Sequence, residues 1–185
     1  MIRNQVNLQS LPIRCRTAQN NAIYSDGNSA SLHSFPPVMA TLYKMKLSIR
    51  QIRQDDIKIV QQLMHELGYP LDEEELLFNI NIVNQRNGII LVAELGGKVV
   101  GCLSAVINVG LAEGMFGEIV SLVVSRDYRG SGIGKCLVKQ AEDWLKPKVE
   151  KIRIRANSIR LEAHKFYKSL GYKEEKTQIS FIKSV

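Results

Sequence analysis

The chain has little cysteine and no long apolar run. Its three cysteines, Cys15, Cys102 and Cys136, are odd in number and lack metal-site spacing, so we expect neither a disulfide framework nor a bound metal. Cys102 and Cys136 are expected to be buried packing residues. Because disulfides form mainly in oxidising compartments, their expected absence favours the cytoplasm. No segment reaches the roughly 18 consecutive apolar residues that a membrane span needs, which predicts that the chain does not cross a membrane.

Aromatic residues are also scarce, at 6% of the 185 residues, although the formal net charge is +7. A nucleic-acid-binding surface combines a basic cluster with aromatic side chains that stack on bases. Basic residues do cluster between Lys146 and Arg155, but from Lys151 onwards they alternate with apolar residues, as on the solvated face of a strand. We therefore expect no nucleic-acid partner.

Acidic residues are nearly absent from the first 45 positions, where Asp26 is the single one. This segment is rich in Asn, Ser and Gln and shows no sustained hydrophobic period. It predicts a disordered extension over residues 1–44, followed by a single folded domain over residues 45–185. Two other interpretations stay open: an organelle transit peptide, or a true translation start at Met45.

Strand and helix patterns alternate from Leu47 onwards, which predicts an α/β (α+β) domain. The predicted order is a strand, two helices, three strands, a helix, a strand, a helix and a last strand. Asp55 and Asp56 mark the start of the first helix, and Asp72 with Glu75 resembles the capping box of the second. The later predicted elements are strands over 88–95, 98–106 and 116–124, a loop over 108–114, a helix over 133–146, a strand over 151–156, a helix ending at Gly171 and a strand containing Ile179, Phe181 and Ile182.

The most informative segment joins the fourth predicted strand to the helix that follows it. Its sequence from Arg129 is Arg-Gly-Ser-Gly-Ile-Gly. Glycines let the backbone turn tightly and approach a ligand, and the helix start offers free N–H groups and the positive end of its dipole. Such a segment is suited to binding phosphate. The Walker loop requires a glycine and a serine or threonine where this chain has Arg129 and Cys136. The dinucleotide pattern requires a glycine where the chain has Lys135, so the segment matches neither pattern.

The remaining pattern, Arg-x-x-Gly-x-Gly, resembles the acyl-CoA pyrophosphate loop of the GNAT N-acetyltransferase superfamily. Asn157 and the segment Ala163 to Tyr172 resemble the closing helix and last strand of the same family, and the resemblance covers residues 46–183. It implies a mixed, mostly antiparallel sheet, splayed between the fourth and fifth strands and flanked by helices. It also implies acetyl transfer from acetyl-CoA to a primary amine, by direct attack in a ternary complex and without a metal.

The resemblance assigns acetyl-CoA binding mainly to the main chain. On the fourth strand, the N–H groups of Leu122, Val123 and Val124 would hold the thioester carbonyl and the pantetheine arm. The amides of the glycine turn would bind the pyrophosphate, namely those of Arg129, Gly130, Ser131, Gly132, Ile133, Gly134 and Lys135. Asn157 matches a position that bonds the pantetheine arm or the adenosine side, although a helix N-cap explains this residue equally well.

Two side chains match catalytic positions of the family. Tyr167 corresponds to the tyrosine that acts as general acid toward the leaving thiolate, and its alternative role is packing against the cofactor. Glu118 resembles the general base of the histone acetyltransferase branch, and its alternative is a strand-edge glutamate paired with a lysine. A non-catalytic acyl-CoA-binding sensor or interaction module of the same fold stays an alternative function. The acceptor, which could be a small molecule or a protein amine, and a possible homodimer stay open.

Overall fold

The structure, a computed structural model, describes residues 47–184. The chain divides into two compact units, of which the first ends at Arg153 and the second begins at Ile154. The extension predicted over residues 1–44 lies outside the described residues and stays a prediction. No helix within the described part of the chain is long and apolar enough to cross a membrane.

Nine helices and strands follow one another over the described residues, with short 3₁₀ turns before α1 and α3. They are β1 (Leu47–Gln51), α1 (Ile57–Leu67), α2 (Glu73–Gln85), β2 (Ile89–Leu95), β3 (Lys98–Gly110), β4 (Gly114–Val124), α3 (Ile133–Leu145), β5 (Ile152–Ile154) and α4 (Leu161–Ser169). The predicted order is confirmed as far as α4. The capping box of Asp72 and Glu75 is also present, since each side chain accepts a hydrogen bond from the other residue's backbone N–H.

The prediction of a last strand containing Ile179, Phe181 and Ile182 is wrong. Residues 173–184 form no helix or strand, and Phe181 and Ile182 are 90% and 92% exposed. Alternating apolar residues are a local signal, whereas a strand also requires a neighbour that satisfies its backbone N–H and C=O groups.

The five strands form one sheet in the order β1-β2-β3-β4-β5. The first four are antiparallel neighbours, and β5 runs parallel to β4. The N–H of Gly117 on β4 donates to the carbonyl of Lys151, just before β5, at 2.8 Å. Because β5 has three residues against eleven in β4, β4 continues beyond the last residue of β5. The predicted fold class, a mixed and mostly antiparallel sheet with flanking helices, is confirmed.

The loop predicted over residues 108–114 is wrong as well. The β3–β4 ladder continues through it, with Asn108 opposite Phe116 and Gly110 opposite Gly114, so only residues 111–113 form the turn. Gly114 has a φ of 72°, which a glycine adopts without strain and which lets the chain reverse at this point.

Helices cover both faces of the sheet in the first unit. Residues of α1 and α2 share an apolar cluster with Cys102 and Val123. Burial raises the pKa of the Cys102 thiol to about 12, which suits the packing role predicted for it. On the other face α3 approaches closely, because a Cβ at Gly117 would lie 2.8 Å from a methyl carbon of Leu145. Glycine at this position therefore allows α3 to pack against β4.

A buried ion pair ties β1 to the turn before α1. The guanidinium of Arg50 donates to both carboxylate oxygens of Asp56, at 2.6 and 2.9 Å, and its Nε donates to Glu94 at 2.7 Å. The side chains of Arg50 and Asp56 are 9% and 7% exposed. The Asp56 carboxylate also accepts the N–H of Arg53 at 2.7 Å, so it both neutralises Arg50 and holds the turn.

Candidate active site

Strand β4 contains a β-bulge at Val120. On β3, Ser104 lies opposite Ser121 while its neighbour Ala105 lies opposite Ile119, which leaves Val120 as an extra residue. A bulge shifts the alternation of side chains along a strand and often re-aims them beside functional sites. As a result, Glu118 projects from the same face as Ser121, whose hydroxyl lies 2.6 Å from that of Ser104.

Beyond the bulge, β4 presents backbone N–H groups on two sides. The N–H of Ser125 donates to the carbonyl of Val100 on β3 at 2.9 Å. Because these directions alternate along an antiparallel strand, the N–H of Val123 also faces β3, and those of Leu122 and Val124 face away from it. The Val124 carbonyl, on that outward side, accepts Arg129 Nε at 3.0 Å. Of the three residues predicted to hold the thioester arm, Leu122 and Val124 thus direct their N–H groups outward.

The glycine turn connects this end of β4 to α3. Gly130 and Gly132 have φ angles of 74° and 87°, where a side chain is strained, and a Cβ at either position would meet no atom within 4 Å. The first helical bond runs from Cys136 N–H to the Gly132 carbonyl at 3.1 Å. The N–H groups of residues 133–135 therefore have no partner inside the helix and lie at its positive end. An open backbone of this kind fits a phosphate group.

Glu66, on the last turn of α1, holds the start of the glycine turn. Its carboxylate accepts the backbone N–H of Arg126 at 3.1 Å and the hydroxyl of Ser125 at 3.4 Å. It also lies 3.9 Å from the guanidinium of Arg129. The position of Arg129 is thus determined jointly by Glu66 and by the Val124 carbonyl.

Glu118 lies in a buried polar cluster at the other end of β4. The residue is 1% exposed, and its Oε2 accepts Asn108 Nδ2 at 2.6 Å. The guanidinium of Arg153 donates to the same oxygen at 3.4 Å and to Glu113 Oε2 at 3.1 Å. It also stacks on the Phe116 ring, with 4.1 Å from its carbon to the ring centroid. Arg153 is thus one cationic partner of Glu118.

The second unit holds Tyr167 and Asn157. The half-buried Tyr167 ring makes edge contacts with Phe166 and Tyr172, at centroid distances of 5.2 and 6.2 Å. Burial raises the pKa of Tyr167, which the nearby positive charge of Arg160 offsets only in part, so the phenol keeps its proton at neutral pH. The side-chain oxygen of Asn157 accepts the N–H of Ile159 at 3.1 Å, as in a local turn before α4.

Glu66, Asn108 and Arg153 take part in these arrangements and were not predicted from the sequence. Glu66 lies in an ordinary helix pattern, Arg153 in an ordinary strand pattern, and Asn108 in the segment predicted as a loop. The partner of each is between 10 and 60 residues away. No local spacing signals such contacts. A metal site is not formed by the described residues, since no group of three His, Cys, Asp or Glu side chains is placed to hold an ion.

Comparison with known families identifies the class of protein. The model of the acetyltransferase (GNAT) family matches residues 51–172, which include β4, the glycine turn and Tyr167. The chain therefore belongs to the GNAT family of acetyltransferases. No curated protein matches it significantly.

Solved structures share this fold at low sequence identity. An aminoglycoside 6'-N-acetyltransferase from Acinetobacter haemolyticus superposes with a TM-score of 0.65 and 22% identity, over 74% of this chain and 98% of that chain. Glucosamine-6-phosphate N-acetyltransferase from Arabidopsis thaliana gives 0.64 and 22%, over 74% and 97%. An aminoglycoside N-acetyltransferase in complex with CoA gives 0.68 and 17%, over 76% and 97%. At these identities the likeness shows the fold alone.

Proposed function

We propose that the protein transfers an acetyl group from acetyl-CoA to a primary amine by direct attack within a ternary complex. One observation carries the proposal: the outward N–H groups at the end of β4 are followed, after a short 3₁₀ turn, by an open glycine turn at the start of α3. A long ligand with a carbonyl near one end and a pyrophosphate further along fits these two sets of backbone donors. Acetyl-CoA is such a ligand, and it supplies an activated acyl group.

The main chain performs the binding in this proposal. The N–H groups of Leu122 and Val124 hold the thioester carbonyl and the pantetheine arm, and those of residues 130–135 hold the pyrophosphate. The N–H of Arg129, which the sequence assigned to the same group, already donates to the Arg126 carbonyl at 3.3 Å. Donors aimed at the carbonyl oxygen also stabilise the negative charge that develops there as the amine attacks. Asn157 contributes a polar contact to the pantetheine arm or the adenosine side.

Two side chains move protons. Glu118 accepts a proton from the acceptor amine, directly or through water, because an amine with a pKa near 10 is mostly charged at neutral pH. Tyr167 donates its phenolic proton to the leaving thiolate, which the raised pKa of this phenol permits over the whole neutral range. Neither step requires a metal or a covalent enzyme intermediate.

The direct test is release of thiol from acetyl-CoA in the presence of a panel of small amines, amino acids, aminoglycosides and lysine-containing peptides. We expect turnover with at least one class. CoA binding without turnover over the whole panel would instead support a sensor or interaction module. A cytoplasmic location and a homodimer stay predictions that gel filtration and fractionation can test.

We predict that Gly132→Ala weakens acetyl-CoA binding specifically. The left-handed backbone at Gly132 strains any side chain by about 1–2 kcal/mol, and the added Cβ enters the open space assigned to the pyrophosphate. Gly97 provides the matched control, because it has a φ of 84° and equally open space in the β2–β3 hairpin. Both variants should lose similar stability, and only Gly132→Ala should lose affinity in calorimetry. Equal affinities would refute the assignment of the turn.

We predict that Glu118→Gln lowers the rate most at neutral pH. There most of the acceptor is protonated and depends on a base, so the ratio of wild-type to variant rate should shrink as pH rises toward the amine pKa. Glu150→Gln, at an exposed position before β5, should keep that ratio near unity throughout. A flat ratio for Glu118→Gln would remove this residue as the base.

A further inference from the structure

A general base in the interior has to stay ionised although it is removed from water. Burial favours the protonated form of a carboxyl group unless a positive charge or hydrogen-bond donors stabilise the anion. Glu118 is 1% exposed, so a base at this position needs such a charge or such donors beside it. The structure places two such groups at one carboxylate oxygen: the amide of Asn108 and the guanidinium of Arg153.

The guanidinium of Arg153 is fixed by contacts on several sides. Glu113, on the β3–β4 turn and half exposed, holds NH1 at 3.1 Å, while NH2 lies 3.4 Å from Glu118. The Phe116 ring lies beneath its carbon at 4.1 Å. Its Nε is buried and has no hydrogen-bond partner among the described residues. In this position one N–H of the arginine makes no hydrogen bond with the described residues, while the guanidinium contacts the carboxylates of both Glu113 and Glu118.

The pair of Arg50 and Asp56 shows what a purely structural ion pair looks like in this protein. There the guanidinium covers both carboxylate oxygens, at 2.6 and 2.9 Å. Arg153 instead reaches a single oxygen of Glu118 at the longer distance of 3.4 Å. It supplies positive charge without the two-bond clamp that would make the carboxylate a poor proton acceptor.

We propose that Arg153 is a positioning residue that keeps the Glu118 carboxylate ionised and oriented for proton transfer, with Glu113 fixing the guanidinium from its exposed side. This inference rests on the proposed role of Glu118 as base.

Other charged groups on the neighbouring elements have different contacts. Helix α1 packs against β4, and its titratable residues are Lys58, His65 and Glu66. Lys58 and His65 are exposed, and Glu66 bonds the start of the glycine turn. Helix α3 packs on the opposite face of the sheet, where Leu145 meets Gly117. Arg153 is one cation that does contact Glu118.

The experiment follows the Glu118 carboxyl carbon by ¹³C NMR during a pH titration, with its signal assigned from the Glu118→Gln variant. Arg153→Met should move the titration midpoint upward by about one to three pH units, and the acid limb of kcat/KM should move with it. Arg153→Lys should restore most of the wild-type midpoint. Lys146→Met removes an exposed cation that pairs with Glu142 and Asp143, and it should move neither quantity.

An unchanged midpoint in folded Arg153→Met would overturn the inference. If that variant does not fold, Arg153→Gln, which keeps a polar head of similar reach, takes its place with the same expected shift. The NMR midpoint does not depend on activity. An acid limb that persists in Glu118→Gln would therefore refute the base role of Glu118, while the midpoint would still decide what Arg153 does.

Discussion

Replacing Tyr167 with Phe should lower kcat about 100-fold and leave acetyl-CoA affinity nearly unchanged. The substitution removes one oxygen and keeps the ring that packs edge-on against Phe166 and Tyr172. The loss should appear in kcat because the proton is needed only when the thiolate leaves. Steady-state kinetics and calorimetry on the same preparations measure the two quantities separately.

Tyr172→Phe is the matched control, since it removes a hydroxyl from the neighbouring ring of the same cluster. We expect little change in kcat for this variant. A similar loss in both variants would indicate that the cluster is structural. Because burial raises the pKa of Tyr167, the phenol should stay protonated below pH 10. The wild-type rate should therefore not fall with rising pH in that range through loss of this acid. A basic limb at lower pH would contradict the assignment.

Replacing Asp56 with Asn should lower the free energy of unfolding by about 3 kcal/mol. The substitution keeps the shape of the side chain and removes the negative charge, so buried Arg50 loses its two-bond partner. We place the effect at the low end of the range for broken buried pairs because Glu94 still accepts from Arg50 Nε. Urea denaturation at pH 7 measures it.

The pH dependence of that effect has a definite sign. Burial alone would raise the pKa of Asp56, but the hydrogen bonds from Arg50 and from the backbone of Arg53 outweigh it, and the pKa is lowered. The stability that the ionised pair contributes is therefore present above the ordinary value of 3.8 and is lost as pH falls through the lower, folded-state value. The difference between wild type and Asp56→Asn should shrink in that acidic range.

The surface pair of Lys139 and Asp143 is the control for Asp56. Both side chains are about half exposed and lie 3.6 Å apart. Asp143→Asn should cost no more than about 0.5 kcal/mol, because water and salt screen such pairs. An Asp56→Asn variant as stable as this control would show that the buried pair contributes nothing to folding.

Local patterns predicted most of the first unit correctly. The capping box at Asp72 and the order of elements as far as α4 depend on residues close in sequence, which period and capping rules detect. The errors lie where pairing decides the structure. The β3–β4 ladder extends through residues that resemble a loop, and the tail around Phe181 alternates like a strand without forming one.

The sequence by itself determined the family, and it predicted a phosphate site because glycines between a strand and a helix start leave backbone N–H groups open to a ligand. Only the tertiary structure decided which N–H groups of β4 face outward and which way Glu118 points. A bulge at Val120 sets that direction, and it exists only in the register of β4 against β3. The charge beside Glu118 comes from Arg153, 35 residues later in the chain. Contacts over such separations arise from chain packing, which no local pattern of residues encodes.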